Sequence, residues 1–295
     1  MLTLERLAAL WDQHQAAARH QIKPITIGPN GMEIGTTPKI MGVVNLSPQS
    51  WYRESVCLSP EAAIRRATTL CAQGADIIDI GGESTLAHAE RVTESQQIDL
   101  LVPLTRQVVA NGGIVSIETY SSRVAEAVLE AGASVINMTG TEQSERIYKL
   151  AAQASAAVIL CYVQGDHVRK LDALEFAGDP FDEFTTYFSA ELSKAKALGL
   201  SKVIIDPGLG FYYRNLTDGK ARIRYQMETF LETFRLKPLG HPVCHALPHA
   251  FELFETEVRS AEGFFAVLAA LGQTHLFRTH EVSRIRPILQ ALSLV

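Results

Sequence analysis

Polar side chains recur in this sequence at the points where short apolar runs end. Asn137 and Asp206 each close a run of otherwise apolar residues. A buried amide or carboxylate is unfavourable without a hydrogen-bond partner, so this placement predicts a polar ligand at both positions. Similar residues follow the other apolar runs, and the set predicts one shared pocket: Asn45, Glu83, Glu118, Asn137, Tyr162, Asp206, His245 and Arg278.

The run IIDIGGEST at residues 77–85 has the composition of a strand that is buried on both faces and ends in polar groups. Its two glycines allow a sharp turn or the close approach of a ligand. A buried strand, glycines, a polar cluster and then a helix is the order found at the active-site end of a (β/α)8 barrel unit. Taken alone, the stretch is equally compatible with an ordinary turn between a strand and a loop.

The elements that must position these groups alternate in type along the chain. Runs typical of strands begin at residues 40, 77, 114, 135, 157, 203, 242 and 276, and a helical pattern follows each of them. The first of these helices is predicted at 60–73, with Ser59 as its N-cap and Pro60 at its first position, and the strand after it at 77–81. This alternation predicts the α/β class and one closed parallel (β/α)8 TIM barrel. A doubly wound open sheet is the alternative, but no G-x-G-x-x-G follows a strand.

Two further elements precede the first strand of the barrel. Residues 2–19 have apolar side chains at helical spacing, and two short alternating runs flank Gly28-Pro29-Asn30-Gly31. Asn-Gly between such runs predicts a β-hairpin, which could close the bottom of the barrel. We therefore expect an N-terminal helical extension, 1–24, and a barrel, 25–295. The extension is predicted to cap the barrel or to contact a partner chain, and we expect a homodimer.

The composition excludes several classes of function. The 295 residues are 47% hydrophobic and 20% charged with a net charge of -5, so no basic field favours nucleic acid. No apolar run approaches the ~20 residues needed to cross a bilayer, and residues 1–20 lack a signal-peptide core. A cytoplasmic protein without a membrane partner is predicted. The four cysteines are far apart, which favours free thiols over disulfides or a zinc site, and no metal site is expected.

Three motifs carry a resemblance to a known family. MGVVNLSP at 41–48, GADIIDIGGEST at 74–85 and DPGLGF at 206–211 closely resemble the motifs of dihydropteroate synthase, and they stand in the same order. The likeness runs from about residue 25 to the end of the chain. It implies a (β/α)8 barrel enzyme that joins a dihydropterin pyrophosphate to p-aminobenzoate, with Mg2+ helping the pyrophosphate to leave.

The resemblance also implies a pterin pocket near the middle of the barrel. Asn137 and Asp206 match the family's pterin-binding amide and carboxylate, and a carboxylate suits the paired N–H groups of an aminopyrimidine edge. Glu118 stands where the family has aspartate, so the acid is one methylene longer and is expected to push into the pocket or tilt the ring. Phe211 matches an apolar wall against the ring. The family's anion-binding set is matched by Asn45, Arg278 and His280, types suited to a phosphate.

Several groups of the family's site are replaced in this chain. The family's acid in the first loop is Gln49 here, and its lysine after the seventh strand is His249. A family Met-His on the fifth strand is Cys161-Tyr162. Other replacements fall at Met138 and at residues 86–88, 212–213 and 247–248. The groups implied to bind the pterin are kept, whereas those implied to bind the second substrate and run the condensation are altered.

From this pattern we predict an enzyme derived from the synthase that performs different chemistry. A neutral His249 could accept a hydrogen bond from the ring N–H of a tetrahydropterin, whereas lysine would donate to a dihydropterin. The cofactor would be a reduced pterin or tetrahydrofolate, used for one-carbon transfer or for metal-free oxygenation. His249, Glu118 and Tyr162 are predicted to be catalytic. New aromatic residues suit an unidentified, aromatic second substrate: Trp51, Tyr162, Tyr212 and Tyr213.

Two other functions stay open. An authentic dihydropteroate synthase would need Asn45, Arg278 and His280 to suffice for pyrophosphate departure, and Mg2+ would be used only with such a substrate. A non-catalytic pterin-binding or partner protein would explain the loss of catalytic groups without the gain of new ones.

Overall fold

A computed structural model describes residues 2–47, 55–57, 59–83, 91–165, 167, 178–211 and 218–294. The strands are β1 (Ile25–Ile27), β2 (Met32–Ile34), β3 (Lys39–Asn45), β4 (Ile77–Gly81), β5 (Val115–Thr119), β6 (Val135–Met138), β7 (Ala157–Cys161), β8 (Val203–Asp206), β9 (Cys244–Ala246) and β10 (Leu276–Thr279). The helices are α1 (Leu4–Arg19), α2 (Pro60–Gln73), α3 (Glu94–Ala110), α4 (Ser122–Glu130), α5 (Ser144–Gln153), α6 (Pro180–Ala197), α7 (Gly219–Glu232), α8 (Phe251–Phe254), α9 (Val258–Leu271) and α10 (Val282–Leu292), with 3₁₀ turns at Thr233–Leu239 and Glu255–Glu257.

The sheet of eight strands runs in the order β8-β7-β6-β5-β4-β3-β10-β9, and every neighbouring pair is parallel. Its two ends meet, because Ile205 of β8 forms a parallel bridge with Val243 next to β9. The amide of Ile205 donates to the carbonyl of Pro242 at 3.0 Å across that seam. The predicted (β/α)8 TIM barrel is confirmed.

Local sequence explains the helices that the strands require. Ser59 caps α2 by accepting from the amide of Ala62 at 3.2 Å, and Pro60 occupies the first turn. The same helix ends at Gly74, whose φ of 99° is the left-handed conformation that favours glycine. Its inward face is apolar and buried against the sheet. The helix predicted at 60–73 therefore begins and ends where its capping residues place it.

The barrel interior is a packed core closed at the bottom by the hairpin of β1 and β2. Ile27 and Ile34 of the hairpin are buried with Met41, Ile77 and Val135, which lie near the amino ends of their strands. The predicted hairpin is confirmed, and it seals the end of the barrel opposite the carboxyl ends of the strands. In this fold, ligand cavities lie at the carboxyl ends of the strands.

Helix α1 packs beside the 3₁₀ turn Thr233–Leu239. The ammonium of Lys237 donates to the carbonyl of Ala18 at 2.7 Å and to Oε1 of Gln273 at 2.6 Å. On the exposed side, Arg6 pairs with Glu228 of α7 at 2.9 Å. The division of the chain at residue 24 stays a prediction. Among the described residues, no helix combines the length and apolar character that spanning a bilayer requires.

Candidate active site at the carboxyl ends of the strands

A cavity of about 1050 Å³, counted to its open mouth, lies at the carboxyl ends of the barrel strands. Residues from almost every strand end contribute to its wall, as expected for this fold. The polar lining residues are Asn45, Ser47, Glu83, Glu118, Asn137, Thr139, Asp206, Gln226, His249, Arg278 and His280. Apolar walls come from Leu209, Phe211, Ala246, Leu247 and Pro248.

Arg278 organises the floor of this cavity by binding two carboxylates. Its Nε donates to Oδ2 of Asp79 at 2.7 Å, and an NH2 group donates to Oε2 of Glu118 at 2.6 Å. Asp79 is fully buried and also accepts from Ser116 at 2.6 Å and from the amide of Asn137 at 3.2 Å. A buried carboxylate needs such compensation. Asp79 thus fixes the positions of both Arg278 and Asn137.

The carboxylate of Glu118 faces Arg278 from β5 and lies near two other acids. Burial raises the pKa of Glu118 to about 7, Arg278 opposes that rise, and Asp79 and Asp206 add to it. Burial disfavours the charge of Arg278, but Asp79 and Glu118 raise its pKa above the ordinary value. Arg278 is therefore cationic at neutral pH, whereas Glu118 is poised to gain or lose a proton there.

Asp206 ends β8 and faces the cavity. Its Oδ1 accepts from the amide of Gly208 at 2.8 Å. Burial raises the pKa of Asp206 to about 6, and the Gly208 amide and Arg278 limit that rise. The carboxylate is therefore mostly ionised at neutral pH. It can accept hydrogen bonds from a ligand that brings N–H donors into the cavity.

The loop after Asp206 is shaped by Gly208. Its φ is +77°, and a Cβ at that position would lie 2.4 Å from the carbonyl oxygen of Tyr162. The amide of Phe211 donates back to the carbonyl of Gly208 at 3.2 Å, and Gln226 of α7 donates to the carbonyl of Leu209 at 3.0 Å. This tight loop places the ring of Phe211 against the cavity beside Asp206.

A second cluster stands at the other side of the cavity, around Glu262 of α9. Oε1 of Glu262 lies 3.1 Å from Nε2 of His249 and 3.1 Å from Nδ1 of His280. Thr279 Oγ1 and the amide of His280 bond the other carboxylate oxygen. Although burial opposes it, bonding to the two histidines lowers the pKa of Glu262 to about 2. Burial lowers the pKa of His280 to about 4.

The mouth of the cavity carries Asn45 and Glu83. The amide of Asn45 donates to Oγ of Ser55 at 2.6 Å. Glu83 accepts from the hydroxyl of Tyr120 at 2.8 Å and from the amide of Val92 at 3.1 Å. Both side chains are thereby held at the rim by residues outside their own strands.

The cavity brings together most residues that the sequence predicted for a site. They are Asn45, Glu83, Glu118, Asn137, Asp206, Phe211, His249, Arg278 and His280. Cys161, one of the residues that replace groups of the family's motifs, also lines the cavity. Gln49, Trp51, residues 86–88 and residues 212–213 lie outside the described residues.

Tyr162 and His245 are not brought into this cavity. The ring of Tyr162 packs edge-on against Phe184 and Tyr187 of α6 at centroid distances of 4.8 and 4.9 Å. His245 bonds Thr233 at 2.7 Å and faces the outer helices. Successive strand residues point to opposite faces. Cys161 and Ala246 therefore face the cavity, and their neighbours face outward.

Three residues that position the site were not predicted from the sequence. Asp79 appears only as one acid inside a buried strand, although an acid in such a run signals a buried partner. Glu262 and Gln226 stand on helices, where the pattern of polar strand ends gives no signal. Their contacts to His280 and Leu209 follow only from the packing of those helices on the barrel.

Comparison with known proteins identifies the family. A family model for pterin binding enzymes matches residues 41–247. The chain is 31% identical over 225 residues to the dihydropteroate synthase of Synechocystis, which covers 75% of this chain and 74% of the relative. A dihydropteroate synthase from Yersinia pestis in a sulfonamide drug complex superposes with a TM-score of 0.78 at 21% identity, covering 92% of this chain and 98% of the other.

A dihydropteroate synthase from Xanthomonas albilineans, solved with 4-aminobenzoic acid, gives a TM-score of 0.76 at 25% identity and covers 92% of this chain and 100% of the other. These findings correct one expectation. The prediction of a divergent enzyme for one-carbon transfer or oxygenation is wrong, because the relatives and structural neighbours are dihydropteroate synthases. Nothing supports a tetrahydrofolate cofactor. The chain belongs to the pterin-binding enzyme family.

Proposed function

We propose that this chain is a dihydropteroate synthase of folate biosynthesis. The observation that carries the proposal is one cavity that holds acceptors for an aminopyrimidine, Asp206 and the Asn137 amide, together with the cation Arg278. The synthase relatives support the same conclusion. The substrates would be a dihydropterin pyrophosphate and p-aminobenzoate.

Binding of the pterin would rest on Asp206. Its ionised carboxylate accepts two N–H groups of the aminopyrimidine edge, and the amide of Asn137 can both donate and accept on the same ring. Phe211 supplies an apolar wall for the bicyclic ring. The tight turn at Gly208 sets the distance between that wall and the carboxylate.

Departure of pyrophosphate would rest on Arg278. Its guanidinium is held by Asp79 and Glu118, and an always-charged fork of donors suits a phosphate anion. His280 and Asn45 line the same part of the wall. Proton gain by Glu118 as the anion enters would leave Arg278 with more charge to offer it.

A Mg2+ ion fits the oxygen donors near the mouth. Mg2+ takes oxygen ligands and is commonly held by few protein groups together with substrate phosphates. Asn45 is such a donor, because the carbonyl oxygen of its side-chain amide is the kind of ligand that Mg2+ prefers, and its amide nitrogen donates to Ser55 at 2.6 Å. When bound with the substrate, the ion would neutralise charge on the leaving pyrophosphate.

The reaction is a substitution at the methylene carbon of the pterin. The amine nitrogen of p-aminobenzoate supplies the electron pair for the new C–N bond. The C–O bond breaks and its electrons leave with the pyrophosphate, while the amine releases one proton. The protein's part is to hold the carbon and the amine in line and to stabilise the departing anion.

The test is a direct assay of the purified protein with 7,8-dihydropterin pyrophosphate, p-aminobenzoate and Mg2+, with dihydropteroate measured by mass spectrometry. Asp206→Asn should lower kcat/KM about a hundredfold or more, because a buried acceptor becomes a mispaired amide. Asp99→Asn, at an exposed position on α3, serves as the matched control and should leave the rate unchanged.

Absence of product from the unaltered, folded protein would overturn the assignment. Binding of the pterin without turnover would instead favour a non-catalytic pterin-binding protein.

The proposal includes a homodimer in the cytoplasm. Phe264 and Leu271 are 39% and 52% exposed and stand seven positions apart on α9, so they share one face of that helix. A second copy covering α9 would remove this surface from water. Light scattering of the purified protein should give the mass of two chains, and Phe264→Glu should shift it toward one.

A further inference from the structure

Three donors that are far apart in the sequence converge beside the cavity. His249 follows β9, Glu262 lies on α9 and His280 follows β10, and one ligand atom from each lies within 4.8 Å of the other two. From these we infer a binding site for one divalent first-row transition cation, held by His249, Glu262 and His280. The sequence alone predicts no metal there, because no local ligand spacing marks the set.

The distances suit a metal. Zinc bonds imidazole nitrogen and carboxylate oxygen at about 2.0–2.1 Å, so tetrahedral ligand atoms lie about 3.3 Å apart. Oε1 of Glu262 is already 3.1 Å from Nε2 of His249 and 3.1 Å from Nδ1 of His280. One ligand atom from each residue lies within 4.8 Å of the other two, so the imidazoles need to close by no more than about 1.5 Å.

The donors are held in place by their surroundings. Thr279 Oγ1 and the amide of His280 bond Oε2 of Glu262, which leaves Oε1 as the oxygen turned toward the two imidazoles. The ring of His249 stacks on Phe251 at a centroid distance of 5.4 Å. Contacts of this kind orient metal ligands in proteins and strengthen binding.

The protonation of the set also suits a cation. Without an ion, Nδ1 of His280 can donate an N–H to Oε1 of Glu262, and Nε2 of His249 lies 3.1 Å from the same oxygen. An ion between the three residues would bind these two nitrogens in place of a proton, and each neutral ring would keep its proton on the opposite nitrogen. Glu262 is fully buried, so a cation at Oε1 also supplies a counter-charge for its carboxylate.

Donor type selects the class of metal. Two imidazole nitrogens and one carboxylate form the set found in catalytic zinc sites and in non-haem iron sites. Mg2+ and Ca2+ prefer oxygen and would compete weakly. The Mg2+ proposed to enter with the pyrophosphate is therefore a separate ion near Asn45.

The fourth coordination position faces the cavity, since His249 and His280 line its wall while Glu262 lies behind them. A water molecule or an anionic oxygen would complete the coordination there. That the natural anion is a phosphate oxygen of the pterin substrate rests on the proposed function, whereas binding of the metal does not.

The experiment titrates the chelator-stripped protein with Co2+ and then with Zn2+. We expect one Co2+ per chain, visible absorption bands of a low-coordinate nitrogen and oxygen site, and displacement by an equal amount of Zn2+. A large excess of Mg2+ should leave the bands unchanged. Lack of stoichiometric Co2+ and Zn2+ binding by the folded protein would overturn the site.

Ligand variants decide whether the metal sits where we infer. His280→Ala and the isosteric Glu262→Gln should each weaken Co2+ binding at least about a hundredfold, since loss of outer contacts alone commonly gives 10–100-fold. His20→Ala, at an exposed histidine on the far end of α1, is the control and should bind as the unaltered protein does.

If Glu262→Gln does not fold, His249→Ala replaces it, because His249 lies in a loop. Unchanged Co2+ affinity in folded His249→Ala and His280→Ala would place the metal elsewhere and refute the inference.

Inorganic phosphate tests the open position without any assay of turnover. Added to the Co2+ form, it should shift the absorption bands while equilibrium dialysis shows that Co2+ stays bound. Bands that are insensitive to phosphate would overturn the assignment of an anion to the fourth position. Failure of the synthase assay with intact metal binding would count against the proposed function alone.

Discussion

At the scale of single residues, the candidate site depends on how three carboxylates share one cation. Arg278 bonds both Asp79 and Glu118, and Asp206 lies close enough to raise the pKa of Glu118 further. One guanidinium cannot fully compensate three carboxylates in a desolvated cavity, so protons must be taken up by the acids that are least well paired. The number of protons bound by these carboxylates therefore changes near neutral pH.

Pterin affinity should fall as the pH drops below about 6. Burial raises the pKa of Asp206 to about 6, and below that value the carboxyl holds a proton and loses an acceptor for the ligand's N–H groups. Binding of 7,8-dihydropterin should weaken about tenfold for each pH unit below the pKa. Calorimetry over the range from about pH 5 to 8 checks this. In Asp206→Asn the affinity should be low and show no such step, and a flat profile in the unaltered protein would contradict the assignment.

Glu118→Gln should change how stability depends on pH. The pKa of Glu118 is about 7 when folded, compared with 4.5 for an unperturbed glutamate, mainly because of burial. Between these values the unfolded chain has released the proton and the folded chain keeps it, so stability falls as pH rises through this window and levels off above it.

Glu118→Gln removes this pH-dependent loss of stability. The difference between the free energies of unfolding of the variant and of the unaltered protein should therefore increase by about 1–3 kcal/mol as the pH rises between the two pKa values of Glu118. Urea unfolding at several pH values measures the difference. A constant difference would show that Glu118 does not hold a proton in the folded state.

At the scale of secondary-structure elements, local sequence predicted the bounds of β4 and α2, because caps and hydrophobic periodicity are local signals. It did not predict which strand-end side chain enters the cavity. Cys161 faces inward and Tyr162 outward, and a shift of one residue in strand register exchanges them. That register is set by the neighbouring strands, which no short window of sequence contains.

Gly208→Ala tests the loop that joins β8 to the apolar wall. Gly208 and Gly112 both have positive φ, +77° and +85°. Alanine is disfavoured in this conformation, so the substitution should lower the free energy of unfolding by about 1 kcal/mol at either position for this reason alone. A Cβ at Gly208 would also lie 2.4 Å from the Tyr162 carbonyl oxygen, whereas a Cβ at Gly112 meets nothing within 4 Å.

Gly208→Ala should therefore lower the free energy of unfolding by about 2–4 kcal/mol and weaken pterin binding, whereas Gly112→Ala should lose only the conformational part and bind normally. Thermal unfolding and calorimetry measure both. Equal losses in the two variants would mean that the loop relaxes around the added methyl group.

At the scale of the whole molecule, the barrel separates a sealed end from a reactive end. The alternation of strands and helices in the sequence was enough to predict this architecture and to place polar strand ends at one rim. That alternation did not predict the contacts that form the site, because Arg278 bonds Asp79 and Glu118, which lie 199 and 160 positions away in the sequence. Glu262 meets His280 only because α9 packs beside β10.

Removal of residues 1–24 tests the predicted division of the chain. No residue of α1 is among those that line the cavity, and α1 packs on the turn Thr233–Leu239 and pairs with α7 through Arg6 and Glu228. The truncated protein should fold as a barrel and bind 7,8-dihydropterin with unchanged affinity. It should lose about 2–3 kcal/mol of stability, because half-buried leucines of α1 and the Lys237 bond to Ala18 are removed.

Lys237→Met in the full-length chain is the matched comparison, since it removes the bond from Lys237 to Ala18 and keeps the packing of the helix. It should account for only part of the loss, because the leucines of α1 stay packed, although the bond from Lys237 to Gln273 is removed as well. Calorimetric unfolding of both proteins gives the two values. A truncated chain that cannot fold, or that folds with a tenfold weaker pterin affinity, would show that residues 1–24 belong to the barrel and do not form a separate extension.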